Sequence, residues 1–300
     1  MLKTAWSSCY NHPLVEGHRF PMIKYDLIKE QLLYEAVLNE THFFEPGIAN
    51  IAEIQLCHDK DYLNKLINQC LNAAEIRRIG FPLTQSLVDR EFKIMQGTID
   101  CCAHAIQYGA AMNIAGGTHH AFSDKGEGFC LLNDFAIATQ ILLKHKKASK
   151  IAIIDLDVHQ GNGTASIFKK NSAVFTFSMH GKNNFPFKKE VSSLDIELAD
   201  GIKDNEYLEK LEFGLKMVFE QPHLEFVFYQ SGVDILETDK LGKLAISQEA
   251  CTLRDKMVYE SCRKMKIPVV TAMGGGYSSK ISDIVNAHCN TFKVAIDTFF

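Results

Sequence analysis

The sequence predicts an α/β fold: a mostly parallel central sheet with helices on both faces. Five short apolar runs with the length and β-branched or aromatic content of strands recur along the chain, and longer segments with helical spacing lie between them. No repeat, low-complexity tract or Pro/Ser-rich linker interrupts this alternation, so residues 1–300 read as one domain. Strands that alternate with helices are joined by right-handed crossovers, which lay the strands parallel and cover the sheet on both sides.

In chain order, KTAWSS from Lys3 is a candidate first strand, and EFKIMQGTIDCCAHAIQYG (91–109) has apolar residues on one helical face. AMNIA (111–115) is a strand, FAIATQILLKHK (135–146) a helix, and IAIIDLDV (151–158) and AVFTFSM (173–179) are strands again. The helix NEYLEKLEFGLKMVFEQ (205–221) leads to the strand EFVFYQ (225–230), and QEACTLRDKMVYESCRKM (248–265) leads to PVVTAM (268–273). Runs such as KIAIID carry almost no polar residues, the pattern of strands buried on both faces.

Composition narrows the partners. At 46% hydrophobic and 23% charged, the chain has the make-up of an ordinary soluble globular protein. A net charge of −4 gives no reason to expect nucleic acid or an anionic membrane as the main partner. The opening MLKTAWSSCYNHPLVEGHRF lacks the apolar core of a signal peptide, and no later run is long enough to span a bilayer. Nine cysteines, an odd number scattered without a CxxC pair, read as reduced thiols, mostly in the core. A cytoplasmic location is the expectation.

Chemistry gathers at the strand ends. AMNIA runs into Gly116-Gly117-Thr118-His119-His120, IAIIDLDV carries Asp155 and Asp157 and runs into His159, and AVFTFSM precedes His180. EFVFYQ runs into Ser231-Gly232-Val233-Asp234, and PVVTAM into Gly274-Gly275-Gly276-Tyr277. Ligands of parallel α/β sheets bind beyond the carboxyl ends of the strands, so these tips should converge. Any one of them suits an ordinary polar turn; all five together suit a site. Asp157, His159 and Asp234 offer two carboxylates and one imidazole, an open set of the catalytic zinc type that also suits iron(II) or manganese. His119 and His120 suit general acid–base work beside such a metal, and Tyr277 on its glycine-rich loop suits donation to a developing oxyanion.

The ordered set GGTHHA, GFCLLND, DLDVHQGNG, SGVD and GGGY resembles the zinc-dependent histone deacetylase family, with its arginase/deacetylase-type α/β fold, from about Tyr10 to Tyr277. HQGNG and MHGKNNFPFKKEVSSLDIEL are similar to the class IV, histone deacetylase 11-type branch and its bacterial relatives. The resemblance implies a hydrolase that removes an acyl group, acetyl and possibly long fatty acyl, from the ε-amine of lysine in a protein or peptide. A small acylated amine, such as an acetylpolyamine, is the alternative substrate, and a weakly active acyl-lysine binding module the alternative role. It implies Zn2+ (or Fe2+) on Asp157, His159 and Asp234. It further implies a structural K+ near Asp155 and Ser178, completed by backbone carbonyls of Asp157, His159 and Met179. Asp155 matches the aspartate that pairs with His119; His120 matches the general base, and Tyr277 the carbonyl-polarising tyrosine. Phe129 and Phe185 match the walls of the acyl-lysine tunnel, the Gly128 carbonyl an acceptor for the substrate amide, Gly275 a substrate-side position of the glycine loop, and Arg19 an arginine lining a cavity beyond the metal. Three features depart from the family pattern. Asn162 replaces the aspartate that pairs with the second histidine, so His120 is expected to be less basic. Met273 replaces the first glycine of GGGGY, and no counterpart of the rim aspartate is evident.

Overall fold

The computed structural model describes residues Met1–Phe300 and gathers eight strands into one sheet. They are β1 (Lys3–Ala5), β2 (Phe43–Phe44), β3 (Ala110–Asn113), β4 (Ile151–Asp155), β5 (Val174–Gly181), β6 (Leu194–Leu198), β7 (Phe226–Gln230) and β8 (Val269–Ala272). The order across the sheet is β2-β1-β3-β8-β7-β4-β5-β6, and every neighbouring pair is parallel. The strands β3, β4, β7 and β8 are buried throughout, as their unbroken apolar runs require when helices cover both faces.

The helices are α1 (Lys24–Tyr34), α2 (Ile51–Ile54), α3 (Lys60–Ile67), α4 (Ala73–Ile79), α5 (Gln85–Tyr108), α6 (Asp134–Lys144), α7 (Asn162–Phe168), α8 (Asp204–Phe219), α9 (Gln248–Met265) and α10 (Ile281–Phe299). One group packs in succession as α5, α6 and α7, and another as α8, α9, α10 and α1. Local chemistry sets their ends: Thr84 Oγ1 accepts from Leu87 N at 3.2 Å to open α5, and Gly109, at φ 94°, closes it. Asn133 opens α6 through Ala136 N at 3.0 Å and Ser247 opens α9 through Ala250 N at 3.0 Å. No helix is long and apolar enough to cross a membrane.

Two boundaries differ from the sequence expectation in ways that matter. β4 ends at Asp155, not at Val158, so strand alternation is not what aligns Asp157 and His159; both lie on the turn beyond. β5 runs to Gly181 and so includes His180. The short strand β2, the half-exposed strand β6 and the helices α1, α2, α3, α4, α7 and α10 were not anticipated.

One buried arginine locks the sheet ends that carry the site. Arg254 on α9 is fully buried, pairs with Asp255 at 2.8 Å, and donates to Gly232 O at 2.5 Å, Ser231 O at 3.3 Å and Leu156 O at 3.5 Å. These carbonyls belong to the segments leaving β7 and β4. Replacing Arg254 by methionine leaves three carbonyls and a carboxylate buried without their cation. Removing one partner of a buried pair costs about 3–5 kcal/mol, so the unfolding midpoint in denaturant should fall with the slope unchanged.

Candidate active site

The tips of β3, β8, β7 and β4, four consecutive strands of the sheet, bring the candidate residues together. Beyond Asp155 the chain turns through side chain–backbone bonds: Asp155 Oδ1 accepts from Asp157 N at 3.2 Å, and Asp157 Oδ1 accepts from His159 N at 3.0 Å. His159 Nδ1 then lies 3.0 Å from Asp157 Oδ1 and 3.1 Å from Asp234 Oδ2. The second oxygen of each carboxylate is taken by backbone: Val158 N donates to Asp234 Oδ1 at 2.9 Å, and Gly275 N to Asp157 Oδ2 at 2.8 Å. Asp234 Oδ2, and the second lone pair of Asp157 Oδ1, are thereby left for a cation. Gly275 reaches this position only because it has no Cβ, which would overlap Asp234 Oδ2.

Electrostatics makes the same point. Burial and the adjacent charge of Asp157 push Asp234 up to about 7. Burial disfavours an imidazolium at His159, but hydrogen bonds to Asp157 and Asp234 carry it up to about 10. Two buried carboxylates demand positive charge, and without a metal a protonated histidine supplies it. Three buried donor atoms within 4.8 Å of one another, two carboxylate oxygens and one imidazole nitrogen, fit a divalent cation.

His119 and His120 follow β3 on a loop that Asp134 holds, accepting from Gly117 N at 3.0 Å and Thr118 N at 2.9 Å. His119 Nδ1 donates to Asp155 Oδ2 at 2.7 Å, and the Nε2 atoms of the two rings lie 3.1 Å apart. Burial works against a charge on His119, but Asp155 and Asp157 outweigh it and raise its pKa. Burial first, then the cationic neighbours His119 and His159, hold His120 well below the usual imidazole value. His120 Nδ1 donates to Asn162 Oδ1 at 2.7 Å, so Asn162 does orient this ring.

Aromatic rings line the approach. The Phe185 ring stands edge-on to His120 at 4.9 Å between centroids, and Phe129, in the left-handed region at φ 68°, lies 6.1 Å from Tyr277. Phe20 and Phe81, which the sequence did not single out, pack on Phe129 at 5.2 and 5.1 Å. Tyr277 is held through its backbone, its N–H donating to Asp239 Oδ2 at 2.6 Å, and burial followed by the charges of Asp234 and Asp157 keeps its hydroxyl protonated. Gly128, Phe129, His119, His120, Asp157, His159, Gly275 and Tyr277 all border one cavity of about 40 Å³.

Arg19 requires a correction. It is exposed, with its guanidinium over the Phe129 ring at 5.0 Å, and the arginine bordering the cavity is Arg90. Arg90 is fixed inside by Tyr10 O at 2.8 Å and by Glu91, anchors that Arg19 lacks. Among the candidates for a second cation, Asp155 and Ser178 are register partners on β4 and β5, Ser178 Oγ lies 2.9 Å from His180 Nδ1, and Met179 is buried. Besides Phe20, Phe81 and Arg90, three more site residues were missed: Asp239; Lys24, buried with Nζ donating to Gly274 O at 2.9 Å; and Glu127, which accepts from Asn162 Nδ2 at 2.6 Å. Glu127 had a signal, since it lies immediately before Gly128 in the GFCLLND motif.

Known proteins resemble this chain in sequence and fold. Residues 18–292 match the model of the histone deacetylase domain. An uncharacterized protein of Picosynechococcus sp. is 40% identical over 97% of this chain and 97% of its own length. Histone deacetylase 2 of Arabidopsis thaliana is 31% identical over 89% of this chain and 72% of its own. An HDAC homolog from Aquifex aeolicus shares the fold at a TM-score of 0.83 and 24% identity, over 98% of this chain and 84% of its own. An HDAC homolog complexed with SAHA aligns at a TM-score of 0.83 and 25% identity, over 97% and 82%. With nearly its whole length matched by the domain and by relatives above 30% identity, the chain belongs to the histone deacetylase family.

Proposed function

We propose that the chain is a zinc-dependent amide hydrolase that removes an acyl group, acetyl and possibly long fatty acyl, from the ε-amine of lysine in a protein or peptide. One observation carries the reading: Asp157 and His159 of the buried Asp157–His159–Asp234 cluster border the same cavity as the His119–His120 pair and Tyr277. A cation held by Asp157, His159 and Asp234 supplies Lewis acidity to the acyl carbonyl and to water. His120, kept neutral, takes the proton of the attacking water through Nε2 and later returns it to the leaving amine. His119, charged and steadied by Asp155, faces the oxyanion together with the Tyr277 hydroxyl. Phe129 and Phe185 bracket the alkyl stem, and the Gly128 carbonyl accepts the substrate N–H.

The finer assignments have lesser supports. HQGNG and the segment after Met179 support the class IV branch, and the β4–β5 pairing of Asp155 with Ser178 supports a structural K+. Nine free cysteines support a reducing compartment. The Arg19 cation beside Phe129 favours a peptide over a polyamine.

The test is a panel of acetyl-lysine peptide, myristoyl-lysine peptide and N-acetylpolyamine, offered to zinc-loaded protein. The acetyl-lysine peptide is expected to show the highest kcat/KM. No turnover of any acyl amide by protein with full zinc occupancy would overturn the reading.

A further inference from the structure

We infer that Glu127 is a positioning residue that fixes the amide of Asn162 and, through it, the tautomer of His120. The inference rests on the hydrolase reading only for its kinetic part. The hydrogen-bonded run is short and buried at its centre: His120 Nδ1 to Asn162 Oδ1 is 2.7 Å, and Asn162 Nδ2 to Glu127 Oε1 is 2.6 Å. Asn162 itself is 2% exposed.

An aspartate at this place would accept from Nδ1 whichever way it turned, so the ring would need no further instruction. An amide has two ends of nearly equal size and opposite hydrogen-bonding sense. Turned with its oxygen toward His120, it requires Nδ1–H and leaves Nε2 as a free lone pair. Turned the other way, it donates to Nδ1 and forces the proton onto Nε2. In that tautomer His120 is no longer a base toward the cavity, where its Nε2 lies 3.1 Å from His119 Nε2.

Glu127 breaks the tie. An ionised carboxylate only accepts, so the end of Asn162 that faces it must be the NH2 group. The flipped amide would set two oxygens against each other at hydrogen-bond distance, with no proton between them. The carboxylate is well placed to enforce this because its turn is anchored: Gly128 N donates to Arg78 O at 3.0 Å, Phe129 N to Ile79 O at 2.7 Å, and Cys130 N to Glu127 O at 3.0 Å. The acceptor-only group that position 162 lacks thus stands one hydrogen bond further out. It reaches His120 from a different segment of the chain.

Three variants and one spectrum test this. Zinc-loaded wild-type protein labelled with 15N at histidine should show His120 as the Nδ1–H tautomer; the Nε2–H tautomer overturns the inference without any variant. Glu127→Ala should populate both tautomers, and kcat on an acetyl-lysine peptide should fall about tenfold with KM nearly unchanged, a fraction of what a general base supplies. Asn162→Asp alone places two carboxylates together and should also lower kcat. Combined with Glu127→Ala, it should restore the single tautomer and bring kcat to within about threefold of wild type. A Glu127 that merely braces the turn predicts the opposite: one tautomer in every variant and no rescue. That result overturns the inference. If the wild type hydrolyses no acyl amide, the hydrolase reading fails by itself, and the tautomer spectra of wild type and Glu127→Ala still decide the role of Glu127.

Discussion

Asp234→Ala is expected to strip the protein of its metal and to abolish hydrolysis. Asp234 acts twice: Oδ2 belongs to the ligand cluster, and Oδ1 accepts from Val158 N at 2.9 Å, holding the turn that presents Asp157 and His159. Alanine removes both, and the two donors that remain cannot hold a site that must keep open coordination for a substrate. Asp234→Asn separates the contributions, because its amide oxygen can still accept from Val158 while the charge is gone. Metal analysis after gel filtration should find wild type loaded and both variants empty. Thermal melts give an independent reading. A metal that binds only the folded state stabilises it by about 2.7 kcal/mol at a hundred times its Kd, so zinc should raise the wild-type Tm and leave that of Asp234→Ala unchanged. Since Asp234 is a carboxylate raised to about 7 by burial and Asp157, its removal relieves repulsion in the metal-free fold. Full occupancy with normal turnover in Asp234→Ala would end the assignment.

Much of this site was legible because its parts sit where a parallel sheet must put them. The strands β3, β4, β7 and β8 are continuous apolar runs, and the residues just beyond their carboxyl ends are polar without a local reason to be. What the sequence could not supply was the path of the chain between tips. Asp157 and His159 share a direction because Asp155 and Asp157 cap the turn, not because a strand alternates there. Edge elements were hidden for another reason. β2 has two residues, too few for a pattern, and β6 (LDIEL) alternates apolar and polar residues over only five positions and is mostly half-exposed, so neither run has the unbroken apolar content of the central strands. Contacts over long separations were the least visible. Lys24 reaches Gly274 O, 250 positions away, and nothing around Lys24 marks it as buried. Arg19 and Arg90 are alike as letters; only the anchors at Tyr10 and Glu91 show which one turns inward.

Tyr277→Phe is expected to leave folding and metal content intact and to lower kcat about 100- to 1000-fold, the usual cost of one oxyanion donor. The substitution is conservative where structure is concerned. The backbone N–H of Tyr277 still donates to Asp239 at 2.6 Å, and the ring still packs against Phe20 at 5.8 Å and Phe129 at 6.1 Å. Only the hydroxyl is lost, and it is held protonated, first by burial and then by Asp234 and Asp157, so it is a donor at any working pH. A donor aimed at charge that develops during the reaction should act mainly on kcat, whereas one that grips the ground state would act on KM. The pair Tyr277→Phe and Phe20→Leu distinguishes these roles. Trimming Phe20 loosens the wall behind the tyrosine and should weaken substrate binding, with a smaller effect on turnover. A fall in kcat of less than about threefold for Tyr277→Phe, with zinc bound and the fold intact, would leave His119 as the only oxyanion donor from the chain. The Tyr277 hydroxyl would then have no part in the chemistry.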